Sequence, residues 1–76
     1  MPYKDRNGRI LFISDGITKG EAYGTFYLTA NGALRRFKAK NLIMRTNRSK
    51  AEEDLLGYAK LHGLLEVPDE CISIQP

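Results

Sequence analysis

Two periods of apolar and polar residues run along this 76-residue chain and divide it into a strand-rich first half and a helical segment behind it. Residues 9–14 join Ile10, Leu11, Phe12 and Ile13 and are closed by Asp15-Gly16, a pair suited to a turn needing positive φ, so they predict a short strand. Residues 15–23, with Gly16 and Gly20 among polar neighbours, predict a loop. Residues 24–30 and 33–40 predict two further strands around Asn31-Gly32, the preferred pair for a two-residue hairpin turn whose central residues both take positive φ. That turn sets a register: Ala30 faces Ala33, Thr29 faces Leu34, Leu28 faces Arg35, Tyr27 faces Arg36, Phe26 faces Phe37 and Thr25 faces Lys38. Side chains alternate along a strand, so one face is expected to collect Phe26, Leu28, Ala30, Ala33 and Phe37, with Arg35. The other collects Thr25, Tyr27, Thr29, Leu34, Arg36 and Lys38.

The period then changes. Ala51, Leu55, Tyr58, Ala59 and His62 recur at helical spacing, Leu56 and Leu61 widen the face, and Gly63 supplies a stop. Ser49 followed by Glu52 reads as a capping box, with Glu52, Glu53 and Asp54 in the first turn where the helix dipole favours negative charge. A helix is therefore expected over residues 50–62. The linker 41–47 carries Leu42, Ile43 and Met44, which extend the sheet or cap the core. Residues 64–76 read as a short edge strand or an irregular tail. A helix and a hairpin with one apolar face each need one another. The expected fold is α+β: a three-stranded antiparallel sheet packed on one C-terminal helix, in the order β-β-β-α, forming a single domain over residues 1–76. Phe26 and Phe37 are expected to meet Leu55, Tyr58 and Ala59.

Composition narrows the class. At 42% hydrophobic and 28% charged residues the chain reads as one small globular domain, not a disordered tail. Its longest wholly apolar stretch of large residues, at positions 10–13, is far shorter than the ~20 residues of a membrane-spanning helix. The charged start and the single cysteine, Cys71, imply a cytoplasmic protein.

Charge is unevenly spread. Residues 1–50 hold eleven Lys and Arg against three acids, a balance of +8, whereas residues 51–76 hold one base against six acids, a balance of −5. Such a division suggests a basic surface for an anionic partner. Candidate chemistry is otherwise sparse. His62 and Cys71 are single residues of their types, too few for a zinc site and without an orienting third group for nucleophilic catalysis. Gly16, Gly20 and Gly24 lack the Lys-Ser/Thr and helix start of a phosphate loop. No enzyme activity, metal or cofactor is expected.

On the sheet face expected to lie away from the helix, Tyr27, Arg36 and Lys38, with Thr25 and Thr29, would present cations, a ring and hydroxyls. Arg9, Lys40 and Arg45, along with Arg6, Arg48 and Lys50, would flank them. Arg and Lys neutralise phosphates and a β-ribbon fits the major groove, so the expected partner is nucleic acid, foremost duplex DNA. A solvated face whose charges discourage sheet aggregation is the plainer use of the same residues. A rival of another class is a protein-binding adapter or homodimer using Leu64, Leu65, Val67, Ile72 and Ile74 of the C-terminal segment.

The layout also resembles a family. The opening Asp5-Arg6-Asn7-Gly8-Arg9-Ile10-Leu11, the Asn-Gly hairpin, and Thr46 ahead of the helix bearing Ser49, Lys50, Ala51, Glu52, Glu53, Leu55, Leu56, Tyr58 and Ala59 resemble the arm-type DNA-binding domain at the N-terminus of phage and transposon tyrosine integrases. The resemblance covers residues 5–62. It implies a sheet laid into the major groove with the helix behind it, and an accessory DNA-binding module from a mobile element. The stretch from Lys40 to Arg48 is longer than that family's step from strand to helix, and no catalytic integrase domain follows.

Overall fold

The structure is a computed structural model and describes residues 2–16 and 18–68. It is α+β, with one helix and one antiparallel sheet. The elements are β1 (Tyr3–Lys4), β2 (Ile10–Ser14), β3 (Gly24–Leu28), β4 (Leu34–Arg36), α1 (Arg48–His62) and β5 (Leu65–Glu66). The sheet has five strands in the order β4-β3-β2-β1-β5, two more than the sequence pattern implies. Both additions are two-residue strands: β1 pairs Tyr3 with Leu11, and β5 returns after the helix to pair Glu66 with Tyr3. Of the two alternatives for the C-terminal segment, an edge strand is present at Leu65–Glu66, while Cys71, Ile72 and Ile74 lie outside the described residues.

Both local hairpins turn on an Asn-Gly pair. Between β3 and β4 the Gly32 amide donates to Thr29 O at 2.9 Å and the Thr29 amide to Ala33 O at 2.8 Å, leaving a three-residue loop. Gly32 takes φ +84, whereas Asn31 is not among the residues with positive φ. The two-residue turn needs positive φ at both central positions, so the chain instead follows a type I turn closed by a left-handed glycine. The added loop residue moves the register by one: Phe26 faces Arg36, Tyr27 faces Arg35 and Leu28 faces Leu34. This corrects the expected faces, since a one-residue slip turns one strand over relative to the other.

Ile13 pairs with Thr25, and the Phe37 amide donates to Thr25 O, so Thr25, Tyr27, Arg35 and Phe37 share the helix side of the sheet with Leu11 and Ile13. Phe26, Leu28, Leu34 and Arg36 lie on the reverse side with Phe12. The β4 half of the expected assignment therefore holds for Arg35 and Phe37, while β3 is inverted. Phe26 does not meet the helix.

Tyr3, Leu11 and Ile13 form the core with Ala51, Leu55 and Ala59, which are spaced by four along α1 so that a leucine sits between two small residues. Leu11 and Leu55 are essentially inaccessible, and each such burial is worth about 1.5–3 kcal/mol. On the reverse side Phe12, Phe26 and Leu42 are also buried. The linker 41–47 covers this side. The Met44 sulfur occupies the space a Cβ on Gly24 would need, and Arg36 Nη2 donates to Leu42 O at 3.3 Å.

The helix begins two residues earlier than expected, and Ser49 is not its cap. Asn47 is extended and its Oδ1 accepts from the amides of Ser49 at 2.8 Å and Lys50 at 3.4 Å. Asn is as good an N-cap as Ser, and choosing it brings Arg48 into the helix, where it pairs with Glu52 one turn on. The first turn then contains no acid. Gly63 ends the helix in the left-handed conformation at φ 67, and the Leu64 amide returns to Ala59 O at 2.9 Å.

Candidate functional site

Between Glu21 and Glu52 the chain carries seven Lys and Arg and no acid, and the fold distributes these cations unequally. Arg45 is committed: its Nε and Nη2 donate to Asp54 at 2.8 and 3.2 Å, and this hydrogen bond and charge push its pKa up. Its backbone also exchanges both hydrogen bonds with Tyr23, which fastens the linker to the start of β3. Arg48 pairs with Glu52 and lies 5.9 Å from the Tyr23 ring centre. Arg36 is half-buried, and its Nε is enclosed without a partner among the described residues. Arg35, Lys38 and Lys40 are left exposed along the outermost strand and the chain just beyond it, with no ion pair among the described residues.

The residues expected to form one basic face are therefore not brought together. Thr25 is 2% exposed and lies on the helix side. Thr29 uses its hydroxyl inside the turn, where it accepts from the Ala33 amide at 3.0 Å. Tyr27 is half-buried on the helix side, and Arg36 on the reverse. Lys38 and Lys40 remain at the edge. Arg9 does reach Tyr27, though in a packed role: its guanidinium lies 5.3 Å from the Tyr27 ring centre and 4.9 Å from that of Phe37, and its Nε donates to Asp5 at 2.9 Å. Stacking of this kind fixes the guanidinium over the rings.

Arg35 is the residue the sequence reading left out of the site, because the assumed register placed it on the packed face. It does lie on the helix side, but β4 is the outermost strand and Arg35 is exposed there. The signal was its place on the strand following the hairpin turn, where a sheet edge is expected to carry charge. At the opposite edge β5 carries one acid, Glu66, beside the exposed Lys4 of β1. Burial, together with Glu66 and Glu52 nearby, raises the Tyr3 phenol pKa. Among the described residues no group of three His, Cys, Asp or Glu side chains could hold a metal ion, and no helix is long and apolar enough to cross a membrane. No protein-family model matches the chain, and comparison with curated proteins and with solved structures gives no match either.

Proposed function

We propose that this protein is a small nucleic-acid-binding module that grips the backbone of duplex DNA with the outer edge of its β3–β4 hairpin. The observation that carries this reading is the set of three exposed cations, Arg35 on the edge strand and Lys38 and Lys40 just beyond it, within thirty residues that contain no acid. Ordered, uncompensated Lys and Arg on a projecting ribbon attract a polyanion and release its counterions. Edge cations also block sheet-to-sheet pairing, a use that requires no ligand. The resemblance to arm-type domains favours DNA as the polyanion. In those domains the helix-free side of the sheet meets the groove; here residues of the 41–47 linker cover part of that side, so the contact is assigned to the edge.

The test is a fluorescence-anisotropy titration of a labelled duplex at low salt. The combined substitution Arg35→Ala, Lys38→Ala and Lys40→Ala is expected to weaken binding by about tenfold or more, since three phosphate contacts are lost. A parent protein that binds no duplex ends the reading. A second reading, a protein partner or second copy seated near the C-terminal end of the helix, is favoured by Leu61 and Leu65, which are 73% and 69% exposed. A duplex-negative protein that self-associates in sedimentation would support it.

A further inference from the structure

The β1–β2 turn and the last turn of α1 enclose a groove of about 230 Å³ that the backbone-binding reading does not use. This is below the ~300–1,000 Å³ typical of sites for drug-sized ligands. Space of this size suits one ring system with its substituents at the rim.

The walls are chemically mixed. Tyr58 and His62 form a tilted ring pair with centres 4.2 Å apart, and Phe37 holds Tyr58 from another side at 5.7 Å and 74°. Leu64 supplies an apolar stretch. The one acid in the lining, Asp5, is already engaged: it accepts from the Asn7 and Arg9 amides at 2.9 and 2.8 Å and from Arg9 Nε at 2.9 Å. Its charge is thereby balanced by Arg9. Arg6 is exposed with no ion pair among the described residues, and the Asn7 side-chain amide has no hydrogen bond among them. The groove thus offers flat aromatic surface, an uncompensated guanidinium and an amide that both donates and accepts.

From this combination we infer that the groove binds a phosphorylated nucleoside, its base against the Tyr58–His62 wall, its ring edge read by Asn7 and its phosphate held by Arg6. A purely apolar ligand would leave the guanidinium and the amide unused, and an acidic peptide would leave the rings unused. Aromatic stacking with a neighbouring cation is how proteins hold a single unpaired base. The ligand is either a free nucleotide or the 5′-phosphorylated end of a strand, since both present the same group. The inference stands on the groove alone and not on the hairpin edge.

The experiment is NMR titration of the whole chain with adenosine 5′-monophosphate, and in parallel with inorganic phosphate and with adenosine. The nucleotide is expected to shift the signals of Arg6, Asn7, Tyr58 and His62 saturably, and more tightly than either fragment. Arg6→Ala and Asn7→Ala alter exposed side chains, so melting temperature should hold. Arg6→Ala should weaken the nucleotide about tenfold or more, the size of one charge-assisted hydrogen bond. No saturable shift at these residues, or equal affinity for inorganic phosphate alone, overturns the inference. A duplex with a 5′-phosphorylated overhang that displaces the nucleotide better than a blunt duplex identifies a strand end as the source. Equal displacement identifies the free nucleotide. The substitutions at Arg35, Lys38 and Lys40 should leave nucleotide binding unchanged, so failure here and failure at the edge are separately visible.

Discussion

The two hairpins of this sheet use the same turn and do different things with it. In the first, the Asp5 amide donates to Arg9 O at 3.0 Å and the Gly8 amide to Asp5 O at 3.1 Å; in the second, Thr29 with Ala33 and Gly32 repeat the arrangement at 2.8 and 2.9 Å. Each loop closes on a left-handed glycine after asparagine, at φ 82 and φ 84. A side-chain oxygen of the residue before each loop then accepts the amide four residues on, Asp5 Oδ1 from the Arg9 amide and the Thr29 hydroxyl from the Ala33 amide. The difference lies in what that oxygen belongs to. A carboxylate can take two amides and a guanidinium, which ties the first hairpin to the aromatic rings above it. A hydroxyl takes one amide and leaves the second hairpin to project. The first is built into the core through Tyr3 and Leu11, whereas the second ends in an exposed cationic edge.

The contrast is broken most severely at its packed end. Tyr3→Ala removes a core ring and is expected to cost about 3–5 kcal/mol, while Leu34→Ala in the second hairpin, already 40% exposed, should cost under about 1 kcal/mol. Urea titrations of the two variants read this directly, and equal losses would mean that the outer strand of the second hairpin is packed as firmly as the first hairpin. The turns themselves come next. Asp5→Ala leaves three donors without their acceptor, one of them charged, and should lose about 2 kcal/mol. Thr29→Ala loses one exposed hydrogen bond and should lose about 0.5–1 kcal/mol. Thermal melts that reverse this order would remove the basis for the distinction.

The turn glycines fall between these two. Gly8→Ala and Gly32→Ala meet no neighbouring atoms, so each should cost only the about 1–2 kcal/mol of left-handed backbone, and equally in the two hairpins. Gly57, exposed within α1 and equally free of neighbours, should instead gain about 0.5–1 kcal/mol on replacement by Ala. A destabilised Gly57→Ala variant would show that this helix position is not open.

The same contrast explains what could be read before the fold was known. Asn31-Gly32 marks the second turn, but the pair serves two-residue and three-residue loops alike, and the flanking residues do not choose between them. Thr25 and Tyr27 on one side of β3, and Phe26 and Leu28 on the other, are both apolar enough to be packed. The choice is made by distant residues: Leu42 and Met44 cover the reverse side, so Phe26 is buried without the helix. Asn7-Gly8 carried the same turn signal in the first hairpin, yet Tyr3–Lys4 is too short for any alternation to show, and its partner Leu65–Glu66 follows sixty residues later. The helix was legible because its apolar spacing extends over about three turns. Its cap was not, since Asn47 and Ser49 compete on nearly equal terms. For the candidate site, Lys38 and Lys40 were recognisable from charge alone. Tyr27 depended on register and moved with it, whereas Arg35 and Arg36 kept their expected sides and differ in exposure.

In the proposed function the projecting hairpin, and not the packed one, holds the nucleic-acid backbone. The most direct measurement of this is the slope of the logarithm of duplex affinity against the logarithm of salt concentration, for the parent and for the variant lacking Arg35, Lys38 and Lys40. Each phosphate contact contributes about 0.9 to the slope, so the variant should be shallower by about 2.7, with folding unchanged. A variant with the parent's slope and affinity would place the contact elsewhere and contradict the account.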